Sequence, residues 1–580
     1  MAWRAKVLFY VLFAIACALI GRYYVVQVRD GREFSERGHV ERLRFHGVGA
    51  LRGAILDRNG AVLVHSVPAQ SVYANTPDVT DREREARTLA GIFPDMPYEL
   101  ILSRLALRHA YVQIHHKVAR AQAAEIARLA LPGIKLENEN TGLRFDPQGR
   151  LASTVIGFTG TEDNGLAGLE SEFDGLLRGS PGRAEREGMA DDAGHAIPFA
   201  QLNMVVAARP GHSLVLTLDS YLQEETERVL RETVSKWQAE SGSAIVMDPW
   251  TGEVLALANA PDYDVANFAS YSADSWRDRA VMDAYEPGSV FKLITAAAAL
   301  DSGKVTERDS FPARDRLQIG GYTINNAEDG FLAGTGSSET LGTIVELSHN
   351  VGAAEVGLRI GARTLYDAVR RFGFGDPTDI ELPGESPGIV PKLADWSETT
   401  LPTVAFGQGI STTPIAIARA YSAIANGGVL LRPRIVSAIL DGDGRPVYRY
   451  GPEVERRAAS PATAAILRRF LRNVVTNGTG NPGAQVAGYT TAGKTGTAQI
   501  AENGSYAPGA YVASFVGMIP AESPKYVILV KIERPRGSIY GGVVAAPAFA
   551  EIARLAMLHA GILPAGPRLV RAENVSKRSL

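Results

Sequence analysis

Three short groups of residues in this chain of 580 have the types and the order that nucleophilic chemistry needs. Ser289 and Lys292 stand three apart in YEPGSVFKLITAAAAL (285–300), Ser348, His349 and Asn350 begin 59 positions after Ser289, and Lys494, Thr495, Gly496 and Thr497 begin 146 after Ser348. A serine hydroxyl is a weak nucleophile and needs a base beside it. Residues three apart share one face of a helix, so Lys292 can bring its amine to the Ser289 hydroxyl. The amine is a base only when neutral. Apolar neighbours (Phe291, Leu293, Ile294) and the positive end of the helix dipole both push it that way. The same helix N-terminus offers backbone N–H groups to a developing oxyanion.

Each group also has an ordinary reading. A Ser-x-x-Lys match arises about once by chance in a chain this long, and a capping serine with a snorkelling lysine accounts for it. SHN reads equally as a polar helix cap, and GKTGT (493–497) as a glycine turn. GKTGT lacks the upstream glycine of a phosphate loop, which sets nucleotide binding aside. The coincidence of all three groups is what points to a site.

The elements that must position these residues begin at about 212. SLVLTLD (213–219) alternates as a strand, and YLQEETERVLRETVSKW (221–237) has helical periodicity with a charged outer face. SAIVM (243–247) and EVLALA (253–258) flank the turn DPWTG, while YVASFVGMI (511–519) and KYVILVKIE (525–533) flank PAESP. Strands from both ends with helices between them imply an α/β domain of α+β type, its sheet mostly antiparallel and covered by helices. Residues 27–205 are charged and irregular, with a strand-like run at 111–118 and a helical piece at 117–130, and read as a spacer or docking surface. The division expected is therefore a tail at 1–6, an apolar segment at 7–26, a module at 27–205, the α/β domain at 206–565 and a basic tail at 566–580.

Bulk composition narrows the class. Sixty Lys and Arg against 63 Asp and Glu give a formal charge of −3, so no polyanion, nucleic acid included, is expected as the main partner. The single cysteine, Cys17, excludes an intramolecular disulfide and a cysteine metal cluster. It lies in the apolar run Val7–Ile20, which GRYYVV (21–26) can lengthen toward the roughly 20 residues of a membrane span. A retained anchor is the favoured reading; a cleaved signal peptide and a lipoprotein signal at Cys17 are the alternatives.

In the order Ser-x-x-Lys, Ser-x-Asn, Lys-Thr-Gly the three groups resemble the penicillin-recognising serine acyl-transferases. RGAILDRNG (52–60), RFDPQGRLASTVIGFTG (144–160) and GLAGLESEFDGLLRG (165–179) are similar to the N-terminal pedestal of class B penicillin-binding proteins. ESGSAIVMDPWTGEVLALAN (240–259), FGQGISTTPIAIARAYSAIANGG (406–428) and YGGVVAAPAF (540–549) are similar to their transpeptidase domain. The likeness is greatest to the septal and sporulation branch, with the elongation branch as the alternative.

The resemblance implies a penicillin-binding/β-lactamase-like domain after an elongated pedestal and one transmembrane helix. It implies that Ser289 attacks the penultimate D-alanine carbonyl of a peptidoglycan stem peptide, that Lys292 takes its proton, and that Ser348 relays a proton to the leaving D-alanine. Asn350 would orient Lys292 and hold the donor amide. Lys494 would supply positive potential, Thr495 and Thr497 would bind the terminal carboxylate, Gly496 would let the donor backbone approach, and the N–H groups of Ser289 and Thr497 would form the oxyanion hole. His349 stands where the β-lactamase motif has Asp; that position varies in the family and implies no role as a base.

No metal or organic cofactor is expected, and a β-lactam would acylate Ser289. With no glycosyltransferase segment before the pedestal, a polytopic membrane glycosyltransferase and other division proteins are the implied partners. The catalytic domain would lie outside the cytoplasmic membrane. A D,D-carboxypeptidase, a β-lactamase or a non-catalytic sensor are the competing functions.

Overall fold

An uninterrupted apolar run without Pro or acidic residues has no alternative to the helix, whose backbone bonds are all internal. Helix α1 (Ala2–Tyr24) follows from it and runs on into a wider turn at Val25–Arg29. The stretch Trp3–Arg29, 27 residues, is long and apolar enough to cross a membrane, and none of its apolar window is buried in the protein. The computed structural model describes residues 2–32, 43–109, 111–139, 141–187, 202–327, 337–502 and 504–565. The expected basic tail at 566–580 lies outside them.

The chain divides into two compact units. The first gathers residues 1–52, 66–143 and 178–211. Its strands Val112–Val118, Gln70–Ala74 and Ile134–Asn138 form an antiparallel sheet in that order, sharing a core of Val72, Leu89, Phe93, Ile101, Ile114 and Ile126 with the helices Arg82–Ile92, Tyr98–Leu105 and Arg120–Leu129. Leu43–Val48, Gly182–Glu187 and Leu202–Val206 make a second antiparallel sheet.

The second unit comprises 53–65, 144–177 and everything from 212 onward. Two stretches with pedestal-like sequence thus fold with the α/β unit, because their polar groups find partners there. Ile55–Leu56 lies parallel to the expected strand Ser213–Leu216 in a six-stranded sheet. The Ala152 N–H donates to the Glu227 carboxylate at 2.8 Å, Asn259 Nδ2 donates to Thr154 Oγ1 at 3.0 Å, and Arg144 ties the two stretches together through Glu170 and the Gly53 carbonyl.

Helix α2 (Ser220–Lys236) is capped by Asp219, whose carboxylate accepts from the Leu222 N–H at 3.2 Å. Strands β1 (Ser241–Met247) and β2 (Val254–Ala260) form the expected hairpin. Near the end of the unit, β3 (Ala492–Glu502), β4 (Ser505–Ile519) and β5 (Tyr526–Glu533) follow one another. The sheet order is β2-β1-β5-β4-β3, antiparallel throughout, and Ser241 pairs with Glu533, so the two ends of the domain meet at its centre. Between them lie α3 (Lys292–Asp301), α4 (Leu341–Leu347), α5 (Asn350–Ile360) and α6 (Pro414–Ala425); α7 (Ala546–His559) follows β5.

Side chains alternate across a strand, and here both faces are covered. Ala244 and Val246 of β1 join a core with Leu230 of α2 and Ile552 of α7, while Ile245 and Met247 join a larger core with Leu293 and Ile294 of α3 and Ile417 of α6. Burying each such Leu or Ile contributes about 1.5–3 kcal/mol, so α3 is held firmly from behind.

Candidate active site

The turn that carries Ser289 is shaped by close backbone approach. Gly288 (φ +56) donates its N–H to the Gly407 carbonyl at 3.0 Å, and a Cβ on Gly407 would lie 2.1 Å from the Gly288 oxygen. Only glycine fits at 407. Tyr285 and Thr412 exchange backbone hydrogen bonds at 3.0 and 2.9 Å, the Tyr421 hydroxyl of α6 donates to the Val290 carbonyl at 2.8 Å, and Thr295 Oγ1 donates to the Ala405 carbonyl at 2.7 Å. The 406–428 segment is thus a clamp on this turn. Gly288–Phe291 forms a 3-10 turn, so Ser289 precedes the first α-helical residue by three positions.

Lys292 is buried, and four oxygens surround its amine. Nζ lies 3.0 Å from Ser289 Oγ, 2.7 Å from Asn350 Oδ1 and 3.3 Å from Ser348 Oγ, and it contacts the Ser348 carbonyl oxygen. A carbonyl and an amide oxygen only accept, so they take two N–H bonds. A neutral amine then has one lone pair left, and the hydroxyl of Ser289 can donate to it. Burial, reinforced by the charge of Lys494 and opposed by that of Glu339, holds the Lys292 pKa well below that of a free lysine. This is the arrangement of a serine with its base already in hydrogen-bond contact.

SHN occupies the junction of two helices. Ser348 ends α4 in the left-handed region (φ +62, ψ 35), and His349 occupies the N-cap position of α5. A non-glycine residue there costs about 1–3 kcal/mol, a strain that collects at functional sites. The reversal turns the Ser348 carbonyl and the Asn350 amide onto the same amine. Asn350 Nδ2 donates to the Asn325 carbonyl at 3.0 Å, which fixes the amide with its oxygen toward Lys292, and Asn326 Oδ1 accepts from the Val351 N–H at 3.0 Å. His349 Nδ1 lies 2.5 Å from Glu339 Oε2. Sequence reasoning passed over Asn325, Asn326 and Glu339. YTINN signals only a turn, and an isolated Glu before a helix signals nothing.

KTGT lies within strand β3 and is not a glycine turn. Lys494 is fully buried, its Nζ 3.2 Å from the Thr495 carbonyl and 3.4 Å from Thr495 Oγ1, and burial brings its pKa down to about 7. Thr495 Oγ1 lies 2.7 Å from Thr479 Oγ1, and the Gly541 N–H reaches Thr497 Oγ1 at 3.4 Å. A Cβ on Gly288 would come 2.9 Å from the Thr497 carbonyl, so the turn that carries Ser289 abuts the strand. A Cβ on Gly496 would lie 2.3 Å from Ser514 Oγ and 3.0 Å from Val290 Cγ1. Packing of the strand against that turn therefore requires this glycine.

Ser289, Ser348, Asn350, Thr495 and Thr497 line one cavity of about 930 Å³, and Lys292 and Lys494 are buried beside it. The three sequence groups, 59 and 146 positions apart, are brought to one cleft. Among the described residues no group of three or more His, Cys, Asp or Glu side chains converges as a metal site.

Comparison with protein families matches residues 242–554 to the penicillin binding protein transpeptidase domain and residues 48–216 to the penicillin-binding protein dimerisation domain. Stage V sporulation protein D of Bacillus subtilis is 33% identical over 576 residues, 97% of this chain and 86% of that protein. The chain is a class B penicillin-binding protein. Peptidoglycan D,D-transpeptidase FtsI of Escherichia coli is 32% identical over 561 residues, 95% of this chain and 91% of its own. Among solved structures, penicillin binding protein 3 of Mycobacterium tuberculosis in complex with aztreonam superposes with a TM-score of 0.69 at 29% identity, covering 90% of this chain and 99% of that one. For a class B penicillin-binding protein, α1, the one helix among the described residues long and apolar enough to cross a membrane, is in keeping with a single-pass membrane protein.

Proposed function

We propose that this protein is a peptidoglycan D,D-transpeptidase that cross-links stem peptides through an acyl-enzyme on Ser289, with release of D-alanine. The contact between the buried Lys292 amine and Ser289 Oγ at 3.0 Å carries this reading. Ser289 Oγ attacks the penultimate D-alanine carbonyl as its proton passes to Lys292. Ser348, 3.3 Å from the same amine, returns a proton to the departing D-alanine. Asn350 orients Lys292 and holds the donor amide.

Strand β3 is the edge of its sheet and pairs only with β4 among the described strands. An extended donor can add alongside it, its carboxylate at Thr495 and Thr497 under the positive potential of Lys494. The N–H groups of Ser289 and Thr497 receive the oxyanion. Gly496 serves the approach of donor and strand while sparing Val290 and Ser514.

The substrate lies outside the cytoplasm, so the short N-terminal end is cytoplasmic, residues 27–205, apart from the two stretches that fold with the α/β unit, serve as pedestal, and residues 206–565 act at the cell wall. The sporulation and FtsI relatives support septal work; a polytopic membrane glycosyltransferase is the partner the family resemblance implies. Fluorescent penicillin tests the core of the reading: it labels the membrane-bound protein with a bond stable for many minutes. Ser289→Ala abolishes labelling, and Lys292→Ala slows it by about 10²–10⁴. Undiminished labelling of Ser289→Ala overturns the assignment, and rapid release of the label favours a β-lactamase.

A further inference from the structure

His349 has surroundings that its position between two motif residues does not explain. Its side chain is 12% exposed and lines the same cleft as Ser289, while Glu339, only 4% exposed, holds its Nδ1 at 2.5 Å. Glu339 belongs to the strand Ser338–Thr340, just before α4, and His349 follows α4, so the pair ties the two ends of that helix together. The pocket for the carboxylate is built in. A Cβ on Gly352, one turn along α5, would lie 2.4 Å from Glu339 Oε1, so any larger residue would displace the acid. A carboxylate only accepts, so Nδ1 donates to Glu339, and in the neutral ring the lone pair is then on Nε2. Nε2 has no hydrogen-bond partner among the described residues. A histidine held through one ring nitrogen by a carboxylate, on a residue that lines a cleft, has the pattern that orients a base for proton transfer.

The second half of transpeptidation needs such a group. An acceptor amine is an ammonium ion at neutral pH, with an ordinary pKa near ~10.4, and must lose a proton before it attacks. Lys292 is committed to Ser289, Ser348 and Asn350. Asp315 is the only carboxylate lining the cleft among the described residues, and its carbonyl accepts from Asn326, whose side chain caps α5. Glu339 also interacts electrostatically with Lys292 on α3 and with Glu355 on α5, which has Arg314 3.9 Å away.

We propose that His349, positioned by Glu339, takes the proton from the acceptor's ammonium group and so makes this side of the cleft the acceptor site. The inference rests on the acyl-Ser289 reading. R–NH₃⁺ gives one proton to Nε2 and becomes R–NH₂. Its lone pair attacks the acyl carbonyl, the N–C bond forms, and the C–Oγ bond of Ser289 breaks. A second N–H proton passes through Ser348 and Lys292 to Ser289 Oγ. His349 then releases its proton to solvent, so that acyl-Ser and R–NH₃⁺ become amide, serine and H⁺. His349 is a catalytic residue for this step, and Glu339 a positioning residue that acts through it.

The full-length protein, given an acyl-D-alanine thioester as donor and D-alanine as acceptor, partitions its acyl-enzyme between aminolysis and hydrolysis. Acylation by benzylpenicillin, measured in parallel, reports the first half-reaction and fails by itself if the Ser289 reading is wrong. His349→Gln is expected to lower the aminolysis-to-hydrolysis ratio by about tenfold or more, a larger factor than any fall in penicillin acylation. Glu339→Gln, outside the motif, lowers the ratio in the same direction by a smaller factor, and added imidazole restores it in His349→Ala. An unchanged ratio in His349→Gln overturns the proposal. A ratio that falls only together with acylation, without imidazole rescue, overturns it too and leaves the pair a purely structural tie.

Discussion

The strand side and the helix side of the cleft are built by different means. On the strand side, β3 is pinned by a continuous antiparallel ladder to β4, and KTGT needs no side-chain bond to hold its course. On the helix side, SHN sits at a junction with a strained Ser348, held by separate bonds from Asn325, Asn326 and Glu339. The charges differ as well. The strand side has a buried Lys494 beside Thr495 and Thr497; the helix side has a buried Lys292, Asp315 lining the cleft, and Glu339 and Glu355 behind it. A backbone ladder gives a rigid rail, whereas side-chain bonds give a junction in which each contact can be altered singly.

Breaking the charge of the strand side should have the largest effect. Lys494→Met removes the positive potential proposed to act on the donor carboxylate and is expected to slow penicillin acylation by about 10²-fold or more. The pH profile carries a sharper signature. In the parent, acylation rises with pH as Lys292 becomes neutral, from a pKa well below that of a free lysine, and falls again as Lys494, at about 7, loses its proton. The positive charge of Lys494 lowers the proton affinity of Lys292, so its removal raises that affinity. The ascending limb must then move to higher pH and the descending limb near 7 must vanish; because the lysines interact, both limbs belong to the pair. A rate profile that keeps its descending limb in Lys494→Met would show that another group causes it.

A smaller effect is expected from steric change on the same side. Gly496→Ala would set a methyl 2.3 Å from Ser514 Oγ and 3.0 Å from Val290 Cγ1, forcing strand and nucleophile apart. Overpacking of this kind costs about 1–3 kcal/mol, and a displacement approaching 1 Å costs about 10²-fold in rate. Acylation should drop by about 10–10² with a lowered melting temperature, and a variant of parental rate would mean that the rail is softer than its ladder implies.

The helix side should yield the mildest result. Asn326→Ala removes the side-chain acceptor for the Val351 N–H at the start of α5, a loss of about 0.5–2 kcal/mol. Calorimetry should register that drop while acylation falls only a few-fold, since Lys292 keeps Ser289, Ser348 and Asn350. A loss as large as that from Gly496→Ala would erase the distinction between rail and junction.

Much of the site was legible where its cause is local. Ser289 and Lys292 meet because a turn and a helix bring residues three apart together, and α2 and the two hairpins follow from periodicities of 3.6 and 2. The three groups were each ambiguous alone and became a site through their order and the family pattern they match. Other features had no local trace. GKTGT has the composition of a turn yet runs as a strand, since β4 supplies the ladder. Residues 53–65 and 144–177 join the α/β unit because the Ser213–Leu216 strand, Glu227 and Asn259 supply their partners there.

The amino-acid order by itself determined which groups are available: a nucleophile with its lysine, a polar triplet, a Lys-Thr-Gly strand, an apolar N-terminal helix and the strands of the sheet. Only the tertiary structure decided what those groups do to one another. The proton affinity of Lys292 depends on burial and on charges 47 and 202 positions away in Glu339 and Lys494, and the free nitrogen of His349 depends on a carboxylate held behind a glycine. Periodicity and capping act within a few residues and can be read along the chain. Desolvation and Coulomb interaction act through space, and they exist only once the chain has folded.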